Sequence, residues 1–425
     1  MQKRKHLIIG CGSAGLSALE QIRRLNSEDE IKIVTMEDFP PYSPTLLPYL
    51  LSGRIDEGHL LMREENYFVE MKATLVRGKT ITRVLPETKR VVYADGQEEA
   101  YDTLLIASGS EAVKPPIKGL NGNTFLGFHT IADCTKLLKQ LAGKSDVAVL
   151  GAGLVGMEVA IGLVERGCRV TVLEKEPRLL PLYFDQEAEV LIRGIFTAHG
   201  IQLLTGREVS EVNRENRRIE INFARGEPVQ VDVLITCIGV KARTSFATET
   251  GIAVNQGILV DRRMRTNMED IYAAGDVAET ADFFSGKLGM NPTIPSAIEQ
   301  GEVAGSNMAG VEAEYEGWIS TNIFHLFGNT AFSAGISMPD SDNYQVLTEK
   351  NERKVQFKRL IYDDDTLVGA MFINIDLDPG VILYLIRNRV GIGSHKQQLF
   401  EQPKEISRWL MQEAEHHVGP AGAKY

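Results

Sequence analysis

Short, wholly apolar runs alternate with amphipathic stretches over the first half of this chain. Residues 6–9, 31–36, 147–150 and 170–173 are β-branched or leucine-rich and bounded by glycines or helical patterning, which predicts buried parallel strands. Behind the first run Leu16, Leu19 and Ile22 recur at helical spacing, so a helix should follow that strand directly. The whole unit (strand, glycine turn, helix, strand, acidic residue) occurs twice, beginning near Lys5 and near Asp146; no repeat of solenoid length is visible. In the last hundred residues the pattern changes. Residues 355–362 and 366–373 alternate apolar and polar positions around an Asp363-Asp364-Asp365 turn, as strands of an antiparallel hairpin do. A final helix is expected over 405–415, with Ile406, Trp409, Leu410 and Ala414 on one side. That side suits a partner or the chain's own domain equally.

At 425 residues, 43% hydrophobic and 24% charged, the chain is long enough for two or three domains. Its net charge of −11 argues against a nucleic-acid partner, which would need a basic face. The longest apolar stretches, 7–9 and 231–238, fall far short of the roughly 20 residues that span a bilayer, so no membrane span is expected. The basic start runs almost at once into Gly10, Gly12 and Gly15, which reads as a strand and turn rather than a targeting peptide. Cys11, Cys134, Cys168 and Cys237 form no close pair, and the eight histidines, including His416-His417, show no ligand spacing. A reducing, cytoplasmic compartment and no bound metal are expected.

Chemistry enters with the two glycine turns. Gly10-Cys11-Gly12-Ser13-Ala14-Gly15 leaves a predicted strand and opens a predicted helix, the setting in which GxGxxG binds a dinucleotide pyrophosphate. The phosphates would sit on free N–H groups at the helix N-terminus. Glu37, after the next strand, is placed to take a ribose hydroxyl. Gly151-Ala152-Gly153-Leu154-Val155-Gly156 repeats the arrangement, and Glu174 closes its second strand. Two fingerprints imply two dinucleotides. A carboxylate at Glu174 suits the free 2′-hydroxyl of NAD and repels the 2′-phosphate of NADP, although Arg178 lies nearby.

From Gly10 to about Gly335 the motifs and their order resemble the FAD-dependent pyridine nucleotide-disulfide oxidoreductase superfamily. The stretch Tyr101-Asp102-Thr103-Leu104-Leu105-Ile106-Ala107-Ser108-Gly109 is similar to that family's strand ending in Ala-Thr-Gly, with Ser108 replacing threonine. Ile271-Tyr272-Ala273-Ala274-Gly275-Asp276 resembles its second FAD motif, which implies a hydrogen bond from the ribityl chain to Asp276. The resemblance further assigns FAD to the first fingerprint and NAD to the second, with Gly239 at the edge of the NAD unit. Ala297 falls in the helix that the family directs at the flavin C2 carbonyl. Glu158 matches an acid near the nicotinamide and flavin N5.

The segment Pro41-Tyr42-Ser43-Pro44-Thr45-Leu46-Leu47-Pro48-Tyr49 stands where disulfide-reducing members carry a redox cysteine. Ser43, Pro44 and Thr45 can line a flavin site, but a hydroxyl forms neither a mixed disulfide nor a charge-transfer thiolate. The lysine that follows this segment in rubredoxin-type reductases is also missing. Cys11 would lie in the phosphate loop, Cys134 in a helix, and Cys168 and Cys237 as buried packing residues, so no thiol relay is expected.

The fold class expected is therefore α/β: two Rossmann-type dinucleotide-binding domains plus a small α+β C-terminal domain. The division would be 1–113 with 245–325 for FAD, 114–244 for NAD and 326–425 for a C-terminal interface domain, with crossings near Pro115-Pro116 and between Gly239 and Thr250. The resemblance implies hydride exchange between NAD(H) and flavin. Details around residues 36–44 and the short C-terminal domain are similar to the NADH-linked FAD subunits of complexes such as phenylglyoxylate dehydrogenase and tungsten-dependent aldehyde oxidoreductase. That implies an iron–sulfur partner subunit and a substrate-oxidising subunit. The alternatives are a stand-alone NADH oxidase or ferredoxin-type reductase, and an NADH-sensing interaction flavoprotein.

Overall fold

The structure, a computed structural model, describes residues 3–122, 124–141, 146–216, 218–339 and 343–418. The chain divides into two units, one of Met1–Val113, His129–Cys134 and Gly239–Trp318, the other of Lys114–Phe128, Thr135–Ile238 and Ile319–Tyr425.

In the first unit the opening apolar run forms the strand Lys5–Ile9, in the middle of a five-stranded sheet. Across the sheet the order is Ile271–Ala273, Thr103–Ile106, Lys5–Ile9, Glu30–Val34, Ala73–Val76, and every pairing is parallel. Leu7, Ile8, Leu104 and Leu105 are buried on opposite faces, which is why such strands read as unbroken apolar runs. The chain runs outward from Lys5–Ile9 to one side and returns on the other, so the carboxyl end of that strand is a topological switch point, where α/β sheets bind ligands. The strand expected over 31–36 stops at Val34, because the Thr35 hydroxyl takes the Glu37 N–H at 3.3 Å and turns the chain.

Helix Ser13–Leu25 buries Leu16, Leu19 and Ile22, each contributing about 1.5–3 kcal/mol. It lies against helix Ile294–Met308 in near backbone contact, since a Cβ at Gly301 would stand 2.3 Å from the Ala14 carbonyl oxygen.

The second unit repeats the sheet. Its order is Gln202–Leu204, Arg169–Leu173, Asp146–Leu150, Val233–Thr236, Leu126–Gly127, again all parallel. A smaller antiparallel sheet, Val209–Glu215, Arg218–Phe223 and Val229–Val231, turns Ile219, Ile221 and Phe223 inward.

The C-terminal region contributes to the same unit a five-stranded antiparallel sheet, Thr321–Leu326, Asn329–Gly335, Thr366–Ile373, Gln356–Asp363, Gln345–Asn351. The hairpin expected at its centre is present. Phe196 of helix Gln186–Ala198 stacks on Phe324 with centroids 6.1 Å apart, and the His199 ring lies 3.8 Å from that of Phe327. The last helix runs Pro403–Val418, longer at both ends than its periodicity indicated. It docks on its own unit: Leu410 and Ser407 are buried, while Trp409 stays 40% exposed beside His395. The fold is thus α/β, with two Rossmann-type sheets and an antiparallel C-terminal region. No helix among the described residues is long and apolar enough to cross a membrane.

Candidate functional site: two dinucleotide cradles

The first glycine loop leaves the switch-point end of Lys5–Ile9. Gly10 has φ +110°, and a Cβ there would lie 2.0 Å from the Ala107 carbonyl oxygen. Only glycine fits that backbone against the neighbouring strand. Gly15 is equally enclosed, its Cβ position 2.1 Å from the Gly10 oxygen. Gly12 is the opposite case, with nothing within 4 Å, so the backbone lies open where a ligand must approach. Gly12 also caps helix Ser13–Leu25 without a side-chain hydrogen bond, and the first turn holds no acidic residue. The N–H groups of Ser13 and Ala14 therefore meet no side-chain acceptor, and an anion is the partner such a helix end takes.

Two distant segments meet this loop. A Cβ at Gly275 would stand 3.0 Å from Ala14 Cβ and 3.7 Å from Ala297 Cβ, which places the Gly275–Val277 turn between two helix N-termini. Helix Ile294–Met308 also lacks a side-chain cap and first-turn acid. Asp276 is held in this turn by the Ser110 hydroxyl, which donates to its Oδ2 at 2.7 Å, while burial pushes the carboxyl above its ordinary range. The Ser110 carbonyl in turn accepts from His129 Nε2 at 3.0 Å and Arg243 Nη2 at 3.1 Å. The sequence reading did not find Ser110. It follows Ala107-Ser108-Gly109 directly, but its partner lies 166 residues away, and no local pattern links them. The same stretch is pinned by Ala107 N–H to the Ile9 carbonyl at 2.8 Å, by the Ser108 hydroxyl to the Arg243 carbonyl at 2.9 Å, and by Arg243 N–H to the Gly109 carbonyl at 3.0 Å.

Glu37 accepts from the Tyr42 hydroxyl at 3.2 Å, and that hydroxyl accepts from Ile131 N–H at 3.1 Å. Burial raises the Glu37 carboxyl, with the Tyr42 bond and the Arg243 charge opposing it. A carboxylate offers about four acceptor positions, so capacity remains for a ribose. Tyr42 as the anchor of Glu37 was also missed. Ser43 and Thr45 share a hydrogen bond of 2.9 Å across the short turn Pro44–Leu46, and Ser43 N–H bonds the Leu60 carbonyl.

None of the four cysteines forms a disulfide. Cys11 is buried and its thiol pushed up to about 12, and Cys134 is buried against the Leu47 carbonyl. Cys168 and Cys237, expected to be buried, are only partly so. Each sits where chain leaves an element: Cys168 just past the end of helix Leu154–Glu165, Cys237 just past strand Val233–Thr236.

The second loop is built alike. Gly151 has φ +110° and a Cβ position 2.3 Å from the Cys237 oxygen; Gly156 closes on the Gly151 oxygen at 2.1 Å; Gly153 meets nothing within 4 Å. Gly153 caps helix Leu154–Glu165 with no side-chain bond and no first-turn acid, and Val155 is 47% exposed on the helix's first turn. Glu174 accepts from Ala152 N–H at 2.8 Å and from Glu176 N–H at 2.9 Å, so it braces the loop it was expected to serve. Arg178 donates to the Phe184 carbonyl at 3.2 Å and reaches Met338 Sδ. Glu158, one turn into the helix, is half-buried, and desolvation of its carboxyl raises it to about 7. Gly239 belongs instead to the first unit, where its carbonyl accepts from Val113 N–H at 3.0 Å.

Comparison with known proteins converges on this geometry. Residues 4–313 match the family described as pyridine nucleotide-disulphide oxidoreductase. The chain is 32% identical over 411 residues to the NADH-dependent phenylglyoxylate dehydrogenase subunit epsilon of Aromatoleum evansii, covering 96% of this chain and 97% of that one. It is 30% identical over 389 residues to an NADH oxidase of Methanocaldococcus jannaschii, covering 86% and 87%. Among solved structures, an NAD-dependent persulfide reductase from A. fulgidus superposes with a TM-score of 0.84 at 25% identity, covering 98% of this chain and 84% of that one.

Proposed function

The chain belongs to the pyridine nucleotide-disulphide oxidoreductase family as an FAD-dependent NADH:acceptor oxidoreductase, and we propose that it is the NAD(H)-linked electron-transfer subunit of a larger complex. In this reading an iron–sulfur subunit exchanges single electrons with it, and a further subunit oxidises the organic substrate. The observation that carries the proposal is Ser43. A hydroxyl stands there in place of a redox cysteine, which supports an electron acceptor outside the chain. Likeness along nearly its whole length to a named dehydrogenase subunit supports the same reading. Four cysteines outside any disulfide fit a cytoplasmic location.

When bound, the cofactors supply hydride exchange between nicotinamide and flavin and the split into single electrons. The chain's residues hold and tune them. Gly10, Gly12, Ser13, Ala14 and Gly15 would hold the FAD pyrophosphate, Glu37 a ribose, and Asp276 the ribityl chain. Ala107, Ser108, Gly109, Gly275, Ala297, Ser43, Pro44 and Thr45 would line the rest of that cradle. Gly151, Gly153, Leu154, Val155 and Gly156 would hold the NAD pyrophosphate and Glu174 its ribose. Asp276→Ala should weaken FAD retention by about 1–3 kcal/mol, the worth of one buried hydrogen bond to a ligand. Ser110→Ala should show the same trend more weakly. FAD release monitored by fluorescence checks both, and full retention in Asp276→Ala would overturn its role.

Glu158 has a pKa near 7, suited to taking or giving a proton at neutral pH. An acid whose folded pKa exceeds its unfolded value stabilises the fold below the unfolded pKa and loses that contribution as pH rises through the folded one. Glu158→Gln should therefore gain stability over the wild type between about pH 4.5 and 7, with no further gain above. Denaturation midpoints measured across that range test it; a pH-independent difference would mean the carboxyl is not held protonated.

The complex is tested by purifying the untagged chain anaerobically from its native host. The expected result is co-elution with an iron–sulfur protein whose clusters NADH reduces only when this chain is present. Likeness to the M. jannaschii protein favours a second reading, a stand-alone NADH oxidase. Elution alone, with oxygen reduced as fast as any cluster protein, would establish that reading instead.

A further inference from the structure

The segment between Glu174 and helix Gln186–Ala198 is tied at both ends. At one end Leu180, buried and held at φ +49°, donates its N–H to the Ala152 carbonyl at 3.0 Å. Ala152 is the same loop residue whose N–H bonds Glu174. Just before Leu180, Leu179 N–H is taken by the buried Glu189 carboxylate at 3.2 Å, and Arg178 reaches Met338 at the margin of the C-terminal sheet. At the other end Asp185 caps helix Gln186–Ala198 through Ala188 N–H at 2.9 Å. Its second oxygen pairs with Arg359 of the C-terminal sheet, and Arg359 also donates to Glu187 at 2.9 Å and to the Thr348 hydroxyl at 2.9 Å.

Arg359 and Asp185 are both largely shielded, with side chains 16% and 13% exposed. Their pairing is therefore not the surface kind that contributes little. Removing Arg359 leaves the shielded Asp185 carboxylate with only the Ala188 N–H, and removing the Asp185 charge leaves Arg359 held by the more exposed Glu187, so in either case the strap loses its tie to the sheet. Four residues, 181–184, separate Asp185 from Leu180 and its hydrogen bond to Ala152.

We propose that Arg359 is a positioning residue for NAD(H): through Asp185 and the strap of residues 178–185 it sets the conformation of the Gly151–Gly156 loop. The C-terminal sheet then governs NAD(H) affinity without touching the nucleotide. This inference rests on the assignment of the second loop to NAD(H).

The test uses the full FAD-loaded chain. Arg359→Ala and Asp185→Asn should each raise the Kd for NADH about 2- to 30-fold, the range for residues coupled to a site through packed contacts. Asp185→Asn keeps an acceptor for Ala188 N–H, so it remains informative if Arg359→Ala folds poorly. The double variant should be no worse than the worse single one, because both remove one interaction. Arg359→Lys should recover part of the affinity, KM for NADH should rise with little change in kcat, and FAD content should remain full. Unchanged NADH affinity, fully additive effects, or equal loss of FAD and NADH binding would each overturn the proposal. Glu174→Gln serves as the reference: if it too leaves NADH binding intact, the loop assignment fails, whereas an effect there with none at Arg359 rejects the strap alone.

Discussion

Gly10→Ala is expected to leave no folded, FAD-retaining protein, while Gly12→Val should fold normally and bind FAD poorly. The two positions lie two residues apart in one loop and differ in what surrounds them. At Gly10 the added Cβ would fall 2.0 Å from a backbone oxygen of the neighbouring strand, at φ +110°. Strain at such a φ costs on the order of 1–3 kcal/mol, and the backbone cannot move aside without opening the central sheet pairing. Overpacking adds roughly 1–3 kcal/mol, together a large part of a typical domain stability of about 5–15 kcal/mol. At Gly12 nothing lies within 4 Å, so valine meets no protein atom and meets only the ligand. Losing one or two charge-assisted bonds to the pyrophosphate should cost about 2 kcal/mol or more, roughly a 30-fold loss of affinity. Circular dichroism and FAD content of the two purified variants decide the matter. A folded Gly10→Ala, or a fully yellow Gly12→Val, would show that the loop does not work as its geometry indicates.

NADH should reduce the flavin far better than NADPH. Glu174 is fixed beside the second loop by two backbone N–H groups and cannot swing away without releasing both. A 2′-phosphate about 4 Å from this carboxylate would meet repulsion of roughly 2–4 kcal/mol at an effective dielectric near 20. That corresponds to about 30- to 1000-fold in affinity. Of the nearby cations, Arg178 is directed to Phe184 and Met338, and Lys175 lies 3.9 Å from the Glu176 carboxylate. Glu174→Gln should narrow the preference by removing the charge. Stopped-flow reduction at matched NADH and NADPH concentrations measures it, and a wild type that prefers NADPH would refute the role given to Glu174.

Much of this was legible in the residues themselves because it is local. A strand buried on both faces must be apolar throughout, so the central strands of both sheets showed as runs. A loop packed against backbone oxygens of its neighbour and of its own first turn must be glycine at Gly10, Gly15, Gly151 and Gly156, so both glycine loops showed as spacing. The absence of cysteine at Ser43 needed no structure to be seen. The hairpin at 356–373 was visible because its two apolar-rich strands and the Asp363-Asp364-Asp365 turn are close in sequence, although Thr366–Ile373 is buried along nearly its whole length rather than on one face.

What the tertiary structure alone decided are contacts whose partners lie far apart along the chain. Ser110 finds Asp276, Tyr42 bridges Glu37 and Ile131, and Arg359 grips Asp185, 174 residues away. Each of these residues is unremarkable in its own neighbourhood, and any serine, tyrosine or arginine there would fit the local pattern. Burial is decided the same way: Glu158 lies on a helix whose spacing permits an exposed carboxylate, and only the folded surroundings remove its water and raise its pKa to about 7. Periodicity reports which face of an element is apolar, whereas desolvation and long-range hydrogen bonding depend on what that face is brought against.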